Sequence, residues 1–233
     1  MANFCFPAPP QAFVLVADRT DVFPVHRIYC VGRNYEEHAR EMGASGREAP
    51  FFFCKPADAV VCAQLGPIRM RYPDRTADLQ HEVELVVALG AGGYQVQVEQ
   101  AGRMVWGYAV GIDLTRRDLQ ADAKRQGRPW DVSKGFDRSA PLGAIRLAAD
   151  TGRLGSQRIW LNVNGRGRQE GTLSQMIWNV EETISQLSGF FELAAGDLIF
   201  TGTPAGVGAL LPGDRVEAGI DGFGGIDLEI AER

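Results

Sequence analysis

The chain has 233 residues with a formal net charge of −5 at pH 7, and 45% of its residues are hydrophobic. This size and composition predict a globular protein with a large core, and the acidic balance argues against nucleic-acid binding, which needs a basic surface. No apolar run approaches the ~20 residues of a membrane helix, and residues 1–10 lack the charged and apolar regions of a secretory signal. We therefore expect a cytoplasmic protein without a membrane partner. Its four cysteines show no C-x-x-C spacing and a chain of this size needs no disulfide staples, so we expect them to be reduced and structural.

The N-terminal region differs in composition from the rest of the chain. Residues 1–24 are rich in proline and contain one short apolar run at 12–17, so we predict an arm with an edge strand. A single catalytic domain is expected over 25–233, and it begins with a short strand at 27–31.

A polar, glycine-containing segment at 33–49 interrupts the apolar strands on either side. Asn34 can cap a helix that Gly43 ends, so the segment is predicted to be a lid with a short helix. At helical spacing, Glu41 can reach the ring of His38, fix its tautomer and support it as a general base. The alternative is an ordinary surface pair on a charged helix.

The run 80–89 places two carboxylates, Glu82 and Glu84, in an otherwise apolar and β-branched segment. Side chains alternate along a strand, so both carboxylates share one face, and burying them together is costly unless a cation neutralises them. Asp113, within the apolar run 105–114, would supply a third oxygen ligand. Three carboxylates without Cys or His partners favour Mg²⁺ or Mn²⁺. The alternative is one polar face of a half-exposed antiparallel sheet without a metal.

Two further features follow the carboxylate runs. Thr115 and Asp118 have the spacing of a capping box, which predicts a helix that Gly127 ends. Lys134 lies in the aromatic and glycine-flanked stretch 130–136, where it could neutralise an anion. The alternative for Lys134 is a surface lysine with a buried stem.

The C-terminal half is strand-rich. Alternation over 158–163 followed by Asn164-Gly165 predicts a β-hairpin, and Asn179 with Glu182 predicts a helix start. Further strands are predicted at 198–201, 214–220 and 226–230. Strands outnumber helices and do not alternate regularly with them, which indicates an α+β class and argues against a Rossmann or barrel architecture.

Six ordered motifs resemble the fumarylacetoacetate hydrolase family across nearly the whole body of the chain. The motifs are Cys30–Gly43, Phe53–Pro56, His81–Leu85, Gly111–Asp118, Ser133–Phe136 and Thr201–Gly208. The resemblance implies a mixed β-sandwich roll, a homodimer, and Mg²⁺ or Mn²⁺ held by the positions that match Glu82, Glu84 and Asp113. It places the family's water-activating pair at His38 and Glu41, in a lid that closes over bound substrate.

Within the family, the chain is most similar to fumarylpyruvate hydrolases of gentisate breakdown. The expected reaction is metal-dependent hydrolysis of a carbon–carbon bond in a 2,4-dioxo acid, fumarylpyruvate, with Lys134 stabilising the departing enolate. The candidate substrate-binding residues are Arg117, Gln120, Thr203 and, for the distal carboxylate, Arg33. Alternatives on the same site are a broader acylpyruvase, an oxaloacetate decarboxylase or tautomerase, and a diene-dioate isomerase. An alternative of another class is a non-catalytic, metal-stabilised interaction module.

Overall fold

The computed structural model describes residues 4–37, 47–62, 66–152 and 154–233. Strands dominate this part of the chain, and helices are short and few. The described strands are, in chain order, β1 (Phe13–Leu15), β2 (Val22–Pro24), β3 (Ile28–Gly32), β4 (Phe51–Lys55), β5 (Val60–Cys62), β6 (Ile68–Arg71), β7 (Leu79–His81), β8 (Val83–Leu89), β9 (Val105–Ile112), β10 (Thr115–Arg116), β11 (Ala140–Leu142), β12 (Arg146–Leu147), β13 (Arg158–Val163), β14 (Arg166–Thr172), β15 (Leu198–Phe200), β16 (Gly208–Leu210), β17 (Arg215–Ile220) and β18 (Gly224–Ala231).

The helices lie between strands rather than alternating with them. The α-helices are Val98–Ala101, Arg117–Gln126, Asp131–Lys134, Ala148–Thr151 and Val180–Ser188. Single 3₁₀ turns occupy Ala57–Ala59, Gly102–Met104 and Leu173–Gln175. No helix among the described residues is long and apolar enough to cross a membrane.

Two large sheets pack against each other. The eight-stranded sheet runs in the order β4-β3-β15-β8-β9-β11-β5, with β12 also paired to β9, and the five-stranded sheet runs β14-β13-β17-β18-β6. Strands β10-β7-β16 and the pair β1-β2 form two smaller sheets. Because the pairing is parallel between β15 and β3 but antiparallel between β8 and β9, the large sheet is mixed. The strand-rich α+β roll expected from the sequence is confirmed, whereas most of the predicted lid helix, at 38–46, lies outside the described residues.

The central strand β8 separates two hydrophobic cores. Val83 and Leu85 point into the larger core, which the five-stranded sheet shares. Val86 and Ala88 point to the opposite face and into a second core, and the antiparallel hairpin of β1 and β2 also packs into that core. Glu84 has the same parity as Val86, so its side chain emerges on the face of the second core. The candidate site described below lies at the end of that face.

Two local predictions from the C-terminal half are confirmed. Asn164 and Gly165 join β13 to β14 with φ values of +52° and +72°, the positive values that a two-residue hairpin turn requires. Asn179 accepts a hydrogen bond from the Glu182 backbone N–H at 2.9 Å, and Glu182 accepts one from the Asn179 N–H at 3.1 Å. This reciprocal capping box starts the helix Val180–Ser188.

The predicted capping box at Thr115 and Asp118 is wrong. Thr115 is a buried strand residue in β10, and the helix begins at Arg117 with no capping side chain. The Asp118 carboxylate instead accepts hydrogen bonds from the Thr76 hydroxyl at 2.6 Å and the Ala77 N–H at 2.9 Å. Thr76 and Ala77, which are remote in sequence, therefore bind the carboxylate that the local spacing predicts to cap the helix.

The predicted cap at Asn34 has also found a remote partner. Its side-chain amide donates to the backbone oxygens of Trp178 and Thr201, and its Oδ1 accepts from the Trp178 N–H at 2.7 Å. Asn34 thus fixes the end of β3 against the loop that follows β15.

Candidate active site

Three buried carboxylates lie together at the edge of the second core. Glu82 occupies the break between β7 and β8, Glu84 lies in β8, and Asp113 directly follows β9. Antiparallel pairing places Glu84 opposite Gly111, and alternation along the chain then places Asp113 on the same face. One ligand oxygen from each carboxylate lies within 4.8 Å of the others, and none of the three residues is more than 5% exposed. The cluster expected from the sequence is therefore assembled.

Two buried lysines hold two of these carboxylates, Glu82 and Asp113, in place. Lys134 donates to Glu82 Oε2 at 2.8 Å and to Asp113 Oδ2 at 2.6 Å. Burial would lower the pKa of Lys134, but the charges of Asp113 and Glu82 outweigh that effect and raise it. Lys55 Nζ lies 2.9 Å from Asp113 Oδ1 and donates to the backbone oxygens of Leu114 and Lys134. Lys134 is therefore held as an ammonium between two carboxylates.

Glu84 differs from its two neighbours because no cation among the described residues pairs with it. Its Oε2 accepts a 2.7 Å hydrogen bond from the Gly202 N–H. Burial, followed by the charges of Asp113 and Glu82, raises the pKa of Glu84 well above its usual value. An ionised Glu84 thus needs a further positive charge close by.

The donor set fits a hard divalent cation. All three ligands are carboxylate oxygens, which suit Mg²⁺ and Mn²⁺. Asp113 Oδ1 is buried and makes no hydrogen bond within the described part of the chain, because the nearby Lys55 ammonium lacks hydrogen-bond geometry. The Lys55 ammonium thus faces this buried oxygen without a hydrogen bond, so the oxygen keeps lone pairs that can bind a metal ion.

Arg117 lies at the mouth of the cluster and is held by three side chains. Its guanidinium donates to Gln80 Oε1 and Gln120 Oε1, each at 2.7 Å, and to Glu82 Oε1. The helix Arg117–Gln126 begins at this residue, which places Gln120 one turn further on the same side. Since Gln120 Oε1 is occupied, its amide N–H groups are the part available to an acceptor on a ligand.

The loop after β15 is fixed by a buried polar network. The Thr203 hydroxyl donates to the Val83 carbonyl at 2.7 Å and accepts from Gln169 Nε2 at 2.7 Å. Gln169 Oε1 accepts from the Val83 N–H and lies 2.9 Å from His81 Nδ1. Burial lowers the pKa of His81. The hydroxyl of Thr203 is therefore already committed, and a ligand would approach its backbone N–H.

Lys55 and Gln169, each 2% exposed, belong to the site but are not among the residues that the sequence predicts. For Lys55 a signal existed, because Phe51, Phe53 and Lys55 alternate along β4 and so share the face that carries the site. No local signal marks Gln169, since its neighbours in β14 are mostly exposed. Its burial arises from the loop containing Thr203, which only the tertiary structure brings to it.

A cleft opens over the cluster between β3, β4 and the helix Arg117–Gln126. The structure brings seven of the ten predicted site residues to its wall. An eighth, Asp113, is hydrogen-bonded to Lys134, which is one of the seven. The seven are Arg33, Glu82, Glu84, Arg117, Gln120, Lys134 and Thr203. The remaining two, His38 and Glu41, lie outside the described residues. Phe51, Lys124 and Trp130, which were not predicted, also line the cleft.

Comparison with known proteins identifies relatives along almost the entire chain. Residues 27–231 match the family model described as the fumarylacetoacetate hydrolase C-terminal domain. A fumarylpyruvate hydrolase from Pseudomonas aeruginosa, crystallised with Mn²⁺ and pyruvate, is 48% identical with a TM-score of 0.96, over 99% of this chain and 100% of that one.

Curated relatives of similar length carry another activity. An oxaloacetate tautomerase from Escherichia coli is 42% identical over 86% of this chain and 90% of its own length. A mitochondrial oxaloacetate tautomerase from Rattus norvegicus is 43% identical over 84% of this chain and 87% of its own. The similarity thus covers most of the length of proteins whose names specify two different reactions.

Proposed function

Because this chain belongs to the fumarylacetoacetate hydrolase family, we propose that it hydrolyses 2,4-dioxo acids, with fumarylpyruvate as the substrate and fumarate and pyruvate as products. Water contributes its hydroxyl to the C4 carbonyl carbon, the C3–C4 bond breaks, and C3 takes a proton to become the methyl group of pyruvate. The observation that carries the proposal is the 48% identity over 99% of the chain with the Pseudomonas aeruginosa fumarylpyruvate hydrolase.

Glu82, Glu84 and Asp113 are the proposed metal ligands. Their buried oxygens lie within 4.8 Å of one another and form an all-carboxylate set. A bound Mg²⁺ or Mn²⁺ would act there as a Lewis acid on the substrate's oxygens. The chain itself holds one of these ligands in position, because Lys55 pairs with Oδ1 of the Asp113 carboxylate and Lys134 pairs with Oδ2.

Lys134 is proposed to stabilise the charge of the departing pyruvate enolate. The residue is 2% exposed and stays protonated because Glu82 and Asp113 face it. A preorganised ammonium in a site from which water is excluded is a strong electrostatic stabiliser of developing negative charge. The same ammonium is close enough to the metal ligands to act on the same end of the substrate.

Water activation is assigned to His38, with Glu41 orienting its ring. This assignment rests on the helical spacing of the two residues and on the family resemblance. A general base of this kind contributes roughly 10²–10⁴-fold to the rate. Closure of the segment 33–49 over the substrate would exclude bulk water from the reacting atoms.

Substrate orientation is assigned to the residues around the mouth of the cleft. Arg117 and the amide of Gln120 would bind a carboxylate or oxo group, supported by the hydrogen bonds that Gln80 and Glu82 accept from Arg117. Thr203 would contact the pyruvyl carboxylate through its backbone N–H, because its hydroxyl is committed to Val83.

The second candidate function is oxaloacetate tautomerisation or decarboxylation. The observation that favours it is the 42–43% identity with oxaloacetate tautomerases over more than four-fifths of the chain. These reactions also require stabilisation of an enolate but no attacking water. A broader acylpyruvase and a diene-dioate isomerase would use the same groups.

The discriminating experiment is turnover by the purified protein of fumarylpyruvate, acetylpyruvate and oxaloacetate, with Mg²⁺, with Mn²⁺ or with EDTA. Loss of enol absorbance and formation of pyruvate are followed together. We expect the highest kcat/KM for fumarylpyruvate, with a strict need for the metal. Faster turnover of oxaloacetate would favour the second candidate.

The proposal includes a cytoplasmic homodimer acting in aromatic degradation, and light scattering of the same sample tests the dimer.

A further inference from the structure

Two cations in the cleft have no carboxylate partner among the described residues. Arg117 and Lys134 are paired with Glu82, whereas Arg33 and Lys124 form no ion pair with any described residue. Both unpaired residues nevertheless line the same cleft as the carboxylate cluster. Their charges are therefore available to a ligand.

Aromatic rings hold these two cations at one wall of the cleft. The Arg33 guanidinium lies 5.7 Å from the centre of the Phe51 ring, and the Lys124 ammonium lies 5.1 Å from the centre of a Trp130 ring. Phe51 and Trp130 pack edge to face, with centroids 5.4 Å apart. Cation–π contacts orient both cations but leave their hydrogen-bond donors free.

The electrostatics of this wall favour an anion. Lys124 is an exposed residue, yet desolvation of its ammonium and the charges of Arg117 and Arg33 lower its pKa to about 8. Like charges brought together without a counter-ion disfavour one another. An anionic group bound between Arg33 and Lys124 would relieve that repulsion.

We propose that Arg33 and Lys124 form a distal-anion subsite, which binds the carboxylate at the far end of a dicarboxylic 2,4-dioxo acid. This inference rests on the proposed function and deepens it, because it assigns substrate selection to named residues. Arg117 and Lys134 already pair with the metal-ligand carboxylates, so they serve the pyruvyl end. The unpaired cations serve the other end, and a substrate with a neutral acyl group would leave them without a counter-ion. The site therefore selects dicarboxylic over monocarboxylic substrates.

The kinetic test compares fumarylpyruvate, which has a distal carboxylate, with acetylpyruvate, which ends in a methyl group. In Lys124→Met, kcat/KM for fumarylpyruvate should fall at least tenfold, mainly through KM, while the value for acetylpyruvate should stay within twofold. Lys124→Arg, which keeps the charge, should retain most of the preference. The matched control is Arg125→Met, which removes a neighbouring charge that is exposed and paired with Asp122. Equal losses on both substrates in Lys124→Met, or no loss, would overturn the subsite.

A binding measurement separates this inference from the proposed reaction. The affinities of fumarate and of its monomethyl ester for the Mn²⁺-loaded wild-type protein are compared by calorimetry. We expect tighter binding of fumarate, and loss of that preference in Lys124→Met. Equal affinity in the wild type overturns the subsite whatever the reaction, and this result does not depend on the folding of any variant. Failure of the wild type to cleave either dioxo acid would instead overturn the proposed function.

Discussion

Lys134 and Asp113 are joined by a 2.6 Å hydrogen bond that links two separate elements of the fold. Lys134 ends the short helix Asp131–Lys134, and Asp113 directly follows strand β9. Both residues are at most 2% exposed, so the ion pair is formed away from solvent. This contact ties the positive charge proposed for catalysis to a proposed metal ligand.

Replacing Lys134 with Met should therefore affect both rate and stability. We expect kcat for fumarylpyruvate to fall by roughly 10²–10³, the usual effect of removing one transition-state donor, with a smaller change in KM. Removing one partner of a buried ion pair costs about 3–5 kcal/mol, so the melting temperature should also fall. Steady-state kinetics and thermal unfolding check both effects. An unchanged kcat in a folded variant would remove Lys134 from the catalytic machinery.

The metal assignment predicts stabilisation by divalent cations. A ligand that binds only the folded protein stabilises it by about 2.7 kcal/mol at a hundredfold excess over Kd, so Mg²⁺ or Mn²⁺ should raise Tm. Glu84→Gln should abolish this response and the metal dependence of turnover. The control Glu229→Gln removes a partly exposed carboxylate in the other large sheet and should keep both. A wild-type metal response in Glu84→Gln would contradict the assignment.

The His38 and Glu41 assignment separates a hydrolase from a tautomerase. His38→Ala should cost at least about a hundredfold in fumarylpyruvate hydrolysis, as expected for loss of a general base. Oxaloacetate turnover, which needs no attacking water, should fall much less. Glu41→Gln should act in the same direction with a smaller loss, and the two effects should not add because the residues act as one unit. Equal loss of both activities would count against water activation by His38.

The charge of Lys124 predicts a pH dependence. Its pKa is lowered to about 8 by desolvation and by Arg117 and Arg33, with Glu82 opposing and Lys134 reinforcing the shift. A lysine loses its charge as the pH rises through its pKa, so kcat/KM for fumarylpyruvate should decline above pH 8. The profile for acetylpyruvate should lack this step, and Lys124→Arg should remove it because arginine stays charged. The same decline for both substrates would contradict the assignment.

The part of the site that the sequence predicts best is the part that violates a local pattern. Glu82 and Glu84 are conspicuous because buried apolar strands exclude unpaired charges, and the structure indeed buries both. The hairpin at Asn164 was predictable for a different reason, because a two-residue turn requires positive φ at both positions and the adjacent residues Asn164 and Gly165 meet that requirement locally. Signals of this kind do not depend on remote partners.

Other features are decided by contacts between distant segments. Asp118 could not be placed correctly because Thr76, remote in sequence, takes its carboxylate. Gln169 looks like an exposed strand residue until the loop containing Thr203 covers it. Lys124 belongs to the cleft only because Trp130 and Arg33 are brought beside it. Tertiary packing, which no local pattern encodes, determines each of these positions.

In the proposed reaction, water cleaves the C3–C4 bond of a 2,4-dioxo acid at this site. The most direct measurement is turnover of fumarylpyruvate by the Mn²⁺-loaded protein in ¹⁸O-labelled water, followed by mass spectrometry of the products. We expect one ¹⁸O atom in the new carboxylate of fumarate, one pyruvate per fumarate, and neither product with Glu84→Gln. Enol–keto interconversion of oxaloacetate without formation of labelled fumarate from fumarylpyruvate would contradict it.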